Sequence, residues 1–486
     1  MPDAACWKRF EVYSSRVRRL AYTHPKSSEK ELRQSVFDDV ARTRLNLTIL
    51  PNMHTLVWKG PLNLSVMFMH PMVKAFEIWL PDELESNSPR PFFEDVAVRM
   101  PNLINLSIQS YVAIHDYEED MVDLITRLPK LQVVTFPRFY LTSKLTEVLS
   151  TLPNIGVLNF QYFQGCGQPD DVVRYTPILT EGAFPVLRDF SQTAQFGDVA
   201  RFFTLEFAPN NLTSLYVDSS IFETATSIQM LLTAVADNCQ LLESLAVVSS
   251  RDSKSTSLPD DADQYKIIFD HLKPLLHLPN LNALEIFHQL PLALKQEDLE
   301  ILSTCWPALE SLNLNNEPVI LTQSDLSVEA LLPFARHCPN LTHLGLFLDV
   351  MTLELPLPPS ITGTITPFKR LKRLSMGVSI IHDDNAVALY LSYLLPVDCT
   401  IDSGITWDDC EAGDPELLRE VQQRCDWWTK VEKMLPVLVQ LRMEEKERLK
   451  IIDMEMDDLK MRNEMLSESK KSGVQIPVGE SWCIAI

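Results

Sequence analysis

One block of residues constrains this chain more than any other: Pro-Asn-Leu-x-x-Leu-x-Leu returns along it at a nearly constant interval. Pro51-Asn52-Met53 leads to Leu56 and Trp58, Pro101-Asn102-Leu103 to Leu106 and Ile108, and Pro129-Lys130-Leu131 to Val134 and Phe136. Pro153-Asn154-Ile155 leads to Leu158 and Phe160, and Pro279-Asn280-Leu281 to Leu284 and Ile286. Pro307-Ala308-Leu309 leads to Leu312 and Leu314, and Pro339-Asn340-Leu341 to Leu344 and Leu346. Weaker copies begin at Val17, Val73, Leu187, Leu212, Leu242 and Leu371. From Met53 to Leu371 the first apolar residues span 318 residues in 11 steps, about 29 per step. With Val17 the chain holds about thirteen copies.

That period and that spacing predict an α/β fold, a leucine-rich-repeat solenoid. The last two apolar residues of each block are two apart, so both face one side of a short strand, toward the core. The residues between and just after them face outward, onto a concave surface. Pro before the first apolar residue stops the preceding helix, and these blocks hold seven of the 32 Pro in a chain with only 13 Gly. Between blocks the apolar residues recur at helical spacing, as in Met121, Leu124, Ile125 and Leu128, or Leu145, Val148, Leu149 and Leu152. The expectation is a horseshoe of parallel strands with helices outside. Three insertions break the rhythm, at 164–183, 249–264 and 350–367, and read as surface loops on one rim.

Five segments are expected: 1–16 before the repeats, 17–380 as the solenoid, 381–428 as an acidic helical cap, 429–470 as an amphipathic helix, and 471–486 as a disordered tail. In the fourth, Val431, Leu435, Leu438, Leu449, Ile452, Met456, Leu459 and Leu466 fall on one heptad seam, broken by Arg442 and Glu445, with Asn463 at an a position. Pro436 is expected to end or kink any helix entering from Trp428.

Net charge is −22, which argues against nucleic acid as a partner. The acid concentrates between Asp383 and Glu420, while Arg16, Arg18, Arg19, Arg42 and Arg44 crowd the start. These clusters read as solvated faces, or as a patch for a basic partner. Nine Cys show no C-x-x-C pair, Met1–Phe10 is not a signal peptide, and no apolar run is long enough for a membrane span. A cytoplasmic or nuclear protein is expected. The end, Cys483-Ile484-Ala485-Ile486, matches a prenylation pattern, so Cys483 is a lipidation candidate.

No phosphate-cradling Gly motif or nucleophile elbow occurs, and His271 and His277 lack further ligands at metal spacing. The chain is read as a non-enzyme without metal or cofactor. The sequons at Asn46, Asn63, Asn105, Asn211 and Asn340 read largely as by-products of the repeat, without sugar.

Cys338-Pro339-Asn340-Leu341 through Leu346 resembles the cysteine-containing leucine-rich repeats of F-box proteins, and Asn238-Cys239 and Thr304-Cys305 sit at equivalent places. Trp7-Lys8-Arg9-Phe10 through Arg16-Val17-Arg18-Arg19-Leu20 is similar to the junction that follows the F-box in the large fungal families. The resemblance covers roughly residues 7–400. It implies the substrate receptor of an SCF-type ubiquitin ligase, whose F-box grips a Skp-type adaptor and its cullin while the solenoid holds the target. The F-box itself is expected to be absent from this chain: six residues precede Trp7, and Leu80-Pro81-Asp82-Glu83-Leu84 imitates the box opening but is followed by Pro89 and Pro91. Adaptor and cullin are then partners only if a box exists upstream. A scaffold unrelated to ubiquitin stays open, homodimeric through 431–466 or tethered to a membrane by a prenylated Cys483.

If the solenoid binds a protein, the outward strand positions are where contact is expected. They are Ser107 and Gln109, Asn159 and Gln161, Tyr216 and Asp218, Glu285 and Phe287, Asn313 and Asn315, and Gly345 and Phe347. Tyr216, Phe287 and Phe347 are the expected anchors, because exposed aromatic side chains carry interface energy.

Overall fold

A computed structural model describes residues 3–23, 33–81, 88–162, 167–250, 261–350, 366–407 and 414–472. Cys483 lies outside them, as do parts of all three insertions and residues 82–84 of the box-like sequence.

Each repeat contributes one short strand, and the strand begins two residues after the block's first apolar residue. The strands are β1 (Arg19–Thr23), β2 (Thr55–Lys59), β3 (Ala75–Trp79), β4 (Asn105–Gln109), β5 (Val133–Pro137), β6 (Val157–Gln161), β7 (Asp189–Thr193) and β8 (Ser214–Asp218). They continue as β9 (Ser244–Val248), β10 (Ala283–Phe287), β11 (Ser311–Leu314), β12 (His343–Leu346), β13 (Asp349–Val350), β14 (Arg373–Gly377), β15 (Ile380–Ile381) and β16 (Thr400–Ser403). Fourteen of them form one parallel sheet in chain order; β13 and β15 pair separately as a two-residue extension. The chain is therefore an α/β leucine-rich-repeat solenoid with a C-terminal helix.

The core follows from the block. The first apolar residues, Met53 through Leu371, are at most 2% exposed, and so are the strand residues Leu56, Phe76, Leu106 and their counterparts through Leu374. Burying each such side chain contributes roughly 1.5–3 kcal/mol. The Asn of the block has its own task. The side-chain amides of Asn52, Asn102 and Asn280 donate to the carbonyls of Ser15, Pro71 and Gln240 at 2.8, 2.9 and 3.1 Å, which ties each repeat to the one before it.

The Cys positions act similarly. Cys239 and Cys338 sit directly after helices, and their thiols face carbonyls of the preceding repeat, Pro209 at 3.8 Å and Ser303 at 3.5 Å. Burial pushes both thiols up to about 12, so they pack as small apolar groups. Cys305 is not their equivalent. It lies one residue early, and Trp306 takes the place after the helix, donating from Nε1 to the Leu278 carbonyl at 3.0 Å.

The C-terminal part departs from expectation in two ways. The sheet runs one strand further, to β16, in a stretch where the block had faded; Asp398 occupies the place of the usual apolar residue and only Ile401 is buried in the strand. And Pro436 does not end the terminal helix, which runs from Pro415 to Ser472. Val431, Leu435 and Val439 are buried around it, so tertiary packing holds the backbone across the missing N–H.

Candidate functional site

In-register parallel strands line up the first, third and fifth residues of each strand as rows across the concave face. The middle row joins Val57, Glu77, Ser107, Thr135 and Asn159. It resumes with Ser191, Tyr216, Ala246, Glu285, Asn313 and Gly345. Between β6 and β7 only two residue pairs stay in register. Past that point the Phe160 ring meets Tyr216 edge-on, 5.3 Å between centroids. Turned with its nitrogen toward β7, the Asn159 amide donates to Asp189 Oδ1 at 3.2 Å and Ser191 Oγ at 3.3 Å. Partial burial raises the Asp189 carboxyl above its usual range.

The two ends of this face differ. From β2 to β6 the fifth row and the residues after it build an open rim. The Lys59 ammonium sits 3.9 Å above the Trp79 ring, and Trp79 lies 5.3 Å from Tyr111, which is 45% exposed. Gln109 donates to Gln161 Oε1 at 2.7 Å, reaching past Pro137 of the strand between them. The Arg138 guanidinium lies over the rings of Phe139 and Tyr162, 4.6 and 5.6 Å from their centroids, with Tyr162 55% exposed. Its Nε is also 2.5 Å from Asp218 Oδ2, an ion pair without hydrogen-bond alignment.

From β11 onward the C-terminal ends of the strands are covered by the chain's own C-terminal part. Phe347 is 3% exposed and packs with Val319, Val378, Trp407, Leu417 and Val421. Glu317 is buried, and its carboxylate accepts from the Thr406 hydroxyl at 2.7 Å and from the Thr406 backbone N–H. Arg424 donates to the Val378 carbonyl at 2.9 Å, and Trp428 Nε1 to the Ser379 carbonyl at 2.9 Å.

This corrects the expected contact set. Phe347 is an internal anchor, not an exposed one. Asn313 and Asn315 are buried too; Asn315, at φ 51°, accepts from the His288 N–H at 3.1 Å and donates to the Leu290 carbonyl at 2.7 Å. Gly345 is closed off by Asn313, whose side chain would meet an added Cβ at 2.8 Å. Gln109 and Asp218 are buried as well, within the rim's polar network. Ser107, Asn159, Tyr216, Glu285 and Phe287 are half-buried on the face and Gln161 is exposed. Sequence reasoning missed Trp79, Tyr111, Arg138 and Tyr162. Trp79 was findable, because it holds the register place of Gln109 in the weaker copy at Val73; the others lie in the turns after strands, beyond the block.

Buried polar groups elsewhere serve the fold. Glu223 accepts from the Phe196 N–H and from the Ser219 and Ser227 hydroxyls at 2.7–2.8 Å, and His288 contacts the Glu223 carbonyl at 3.0 Å. Among the described residues no three His, Cys, Asp or Glu gather closely enough to hold a metal ion, and no helix is long and apolar enough to cross a membrane.

No family model and no curated protein matches the sequence. Solved structures match in shape. A leucine-rich-repeat protein of Leptospira interrogans shares 12% identity over 88% of this chain and 98% of that one, at a TM-score of 0.36. LegL7 of Legionella pneumophila shares 14% over 62% and 89%, at 0.33. A chain of the Rad7 and Elc1 complex from yeast shares 15% over 78% and 86%, at 0.35. None of these likenesses bears on what the present chain binds.

Proposed function

We propose that this chain is a protein-binding scaffold that seats its partner on the open part of the concave face, from β2 to β10. One observation carries the reading: exposed Lys59, Tyr111 and Tyr162 flank half-buried Trp79 and Arg138 along the rim, while the strand ends at the far side of the same sheet are covered by the chain itself. Trp, Tyr and Arg are the residue types that dominate interface energies. Half-buried Tyr216, Glu285 and Phe287 extend the surface toward β10.

The finer reading is target recognition for a ubiquitin ligase in the cytoplasm or nucleus. Its support is the resemblance of the repeat at Cys338–Leu346 and of the segment from Trp7 to Leu20. Purification of the tagged full-length protein tests both levels. The triple variant Trp79→Ala, Tyr111→Ala, Tyr162→Ala is expected to lose a protein that the wild type retains, by tenfold or more, on the order of 2 kcal/mol. Equal recovery by both rejects the groove. Recovery of a Skp adaptor and a cullin with the wild type supports the ligase reading, and absence of both at low salt rejects it.

A further inference from the structure

The C-terminal helix carries one stripe along its whole length, spaced alternately three and four residues apart. Its first half lies against the chain's own solenoid: Trp428, Val431 and Leu435 are at most 2% exposed. Arg442 is the last member held there, stacked on the Tyr393 ring and donating from Nε to Ser392 Oγ at 2.9 Å. The stripe then continues, in the same spacing, as Leu449, Ile452, Met456, Leu459 and Leu466. These five are 51–62% exposed. An apolar seam of this kind is the packing surface of a two-helix coil.

We propose that this half of the helix pairs with the same half of a second copy of the chain, antiparallel, to form a dimer. Three arguments set the arrangement. First, in a straight parallel pair the partner helix would run along the stripe into the space that the helix Asp384–Leu394 fills. Antiparallel pairing leaves the two solenoids at opposite ends. Second, with Leu449 facing Leu466 of the second copy and Met456 facing its Leu459, the flanking charges match: Asp453 meets Lys460, and Glu455 meets Arg462. Symmetry gives each pair twice. Third, sliding by one heptad brings Asp453 against Asp453 and Glu455 against Glu455, and sliding the other way brings Lys460 against Lys460 and Arg462 against Arg462. One antiparallel register is therefore selected. Asn463 falls opposite Ile452 and makes a single polar layer near each end. In the free chain Lys460 and Arg462 contact Asp457 and Asp458 of their own helix, 3.2 and 2.9 Å away and exposed, pairs that cost little to exchange.

Concentration-dependent mass by sedimentation or light scattering on the full chain tests this, independently of what the groove binds. The wild type is expected to approach twice 55.4 kDa as concentration rises, and Leu459→Asp to remain single. Arg462→Glu is expected to weaken the dimer on the order of tenfold. Glu455→Arg added to Arg462→Glu is expected to restore it. Arg448→Glu is expected to change nothing, since only a parallel pair sets Arg448 against Asp453. All these positions are exposed and outside the core. A wild type that stays at one mass at every concentration overturns the dimer. Weakening by Arg448→Glu with no effect of Arg462→Glu overturns its antiparallel order.

Discussion

The two ends of the concave face are made from the same repeat and have opposite fates. At the β2–β6 end, Trp79 and Tyr111 stand at the rim with Lys59 over one ring. At the β11–β16 end, Phe347 occupies the corresponding outward place and lies beneath Trp407, Leu417 and Val421. Strand alternation decides which side a residue faces. It does not decide whether that side meets solvent. That second question is settled by a segment some 60–90 residues further along, clamped by Glu317 on Thr406. An aromatic residue on a solenoid's inner face is thus a partner's foothold or the chain's own, and only the tertiary contact tells which.

The largest difference should come from the same substitution made at each end. Trp428→Ala removes a fully buried ring and its bond to the Ser379 carbonyl. It should cost about 3–5 kcal/mol of local stability and open residues 415–440 to protease. Trp79→Ala, at the rim, should cost within about 1 kcal/mol of stability while weakening partner binding severalfold, as one part of the loss expected of the triple variant. Equal losses in a denaturant titration would erase the distinction between the two ends.

Acid gives the next effect. Burial pushes His288 down from 6.5 to about 4. As pH falls below 6.5 the unfolded chain takes up this proton and the folded chain does not. Stability is therefore complete above 6.5 and declines toward about 4, by up to about 3 kcal/mol. Amide exchange should accelerate first around Glu223, Leu290 and Asn315, the groups joined to His288. His288→Gln should remove this share of the pH dependence and leave that of His343, which burial also pushes down to about 4.

Much of the fold was legible because the repeat writes it redundantly: the apolar residue at Leu103 or Leu281 fixes where the strand begins, and Asn102 or Asn280 fixes the tie to the preceding repeat. β16 was hidden because Asp398 stands where that signal should be. The passage of the helix through Pro436 was hidden because the compensating contacts of Leu435 and Val439 come from elements far away in sequence. The candidate site was half legible. Tyr216, Glu285 and Phe287 follow from alternation, whereas Arg138 and Tyr162 lie past the strands, where no period places them, and the burial of Asn313, Asn315 and Phe347 is a long-range fact.

The most direct measurement is the hydrogen-exchange footprint of the purified partner on the full chain. Protection is expected at the C-terminal ends of β3–β6, around Trp79, Tyr111, Arg138 and Tyr162, with no change around Phe347 and Trp407. Protection confined to the outer helices, or centred on the Phe347 end, would contradict this expectation.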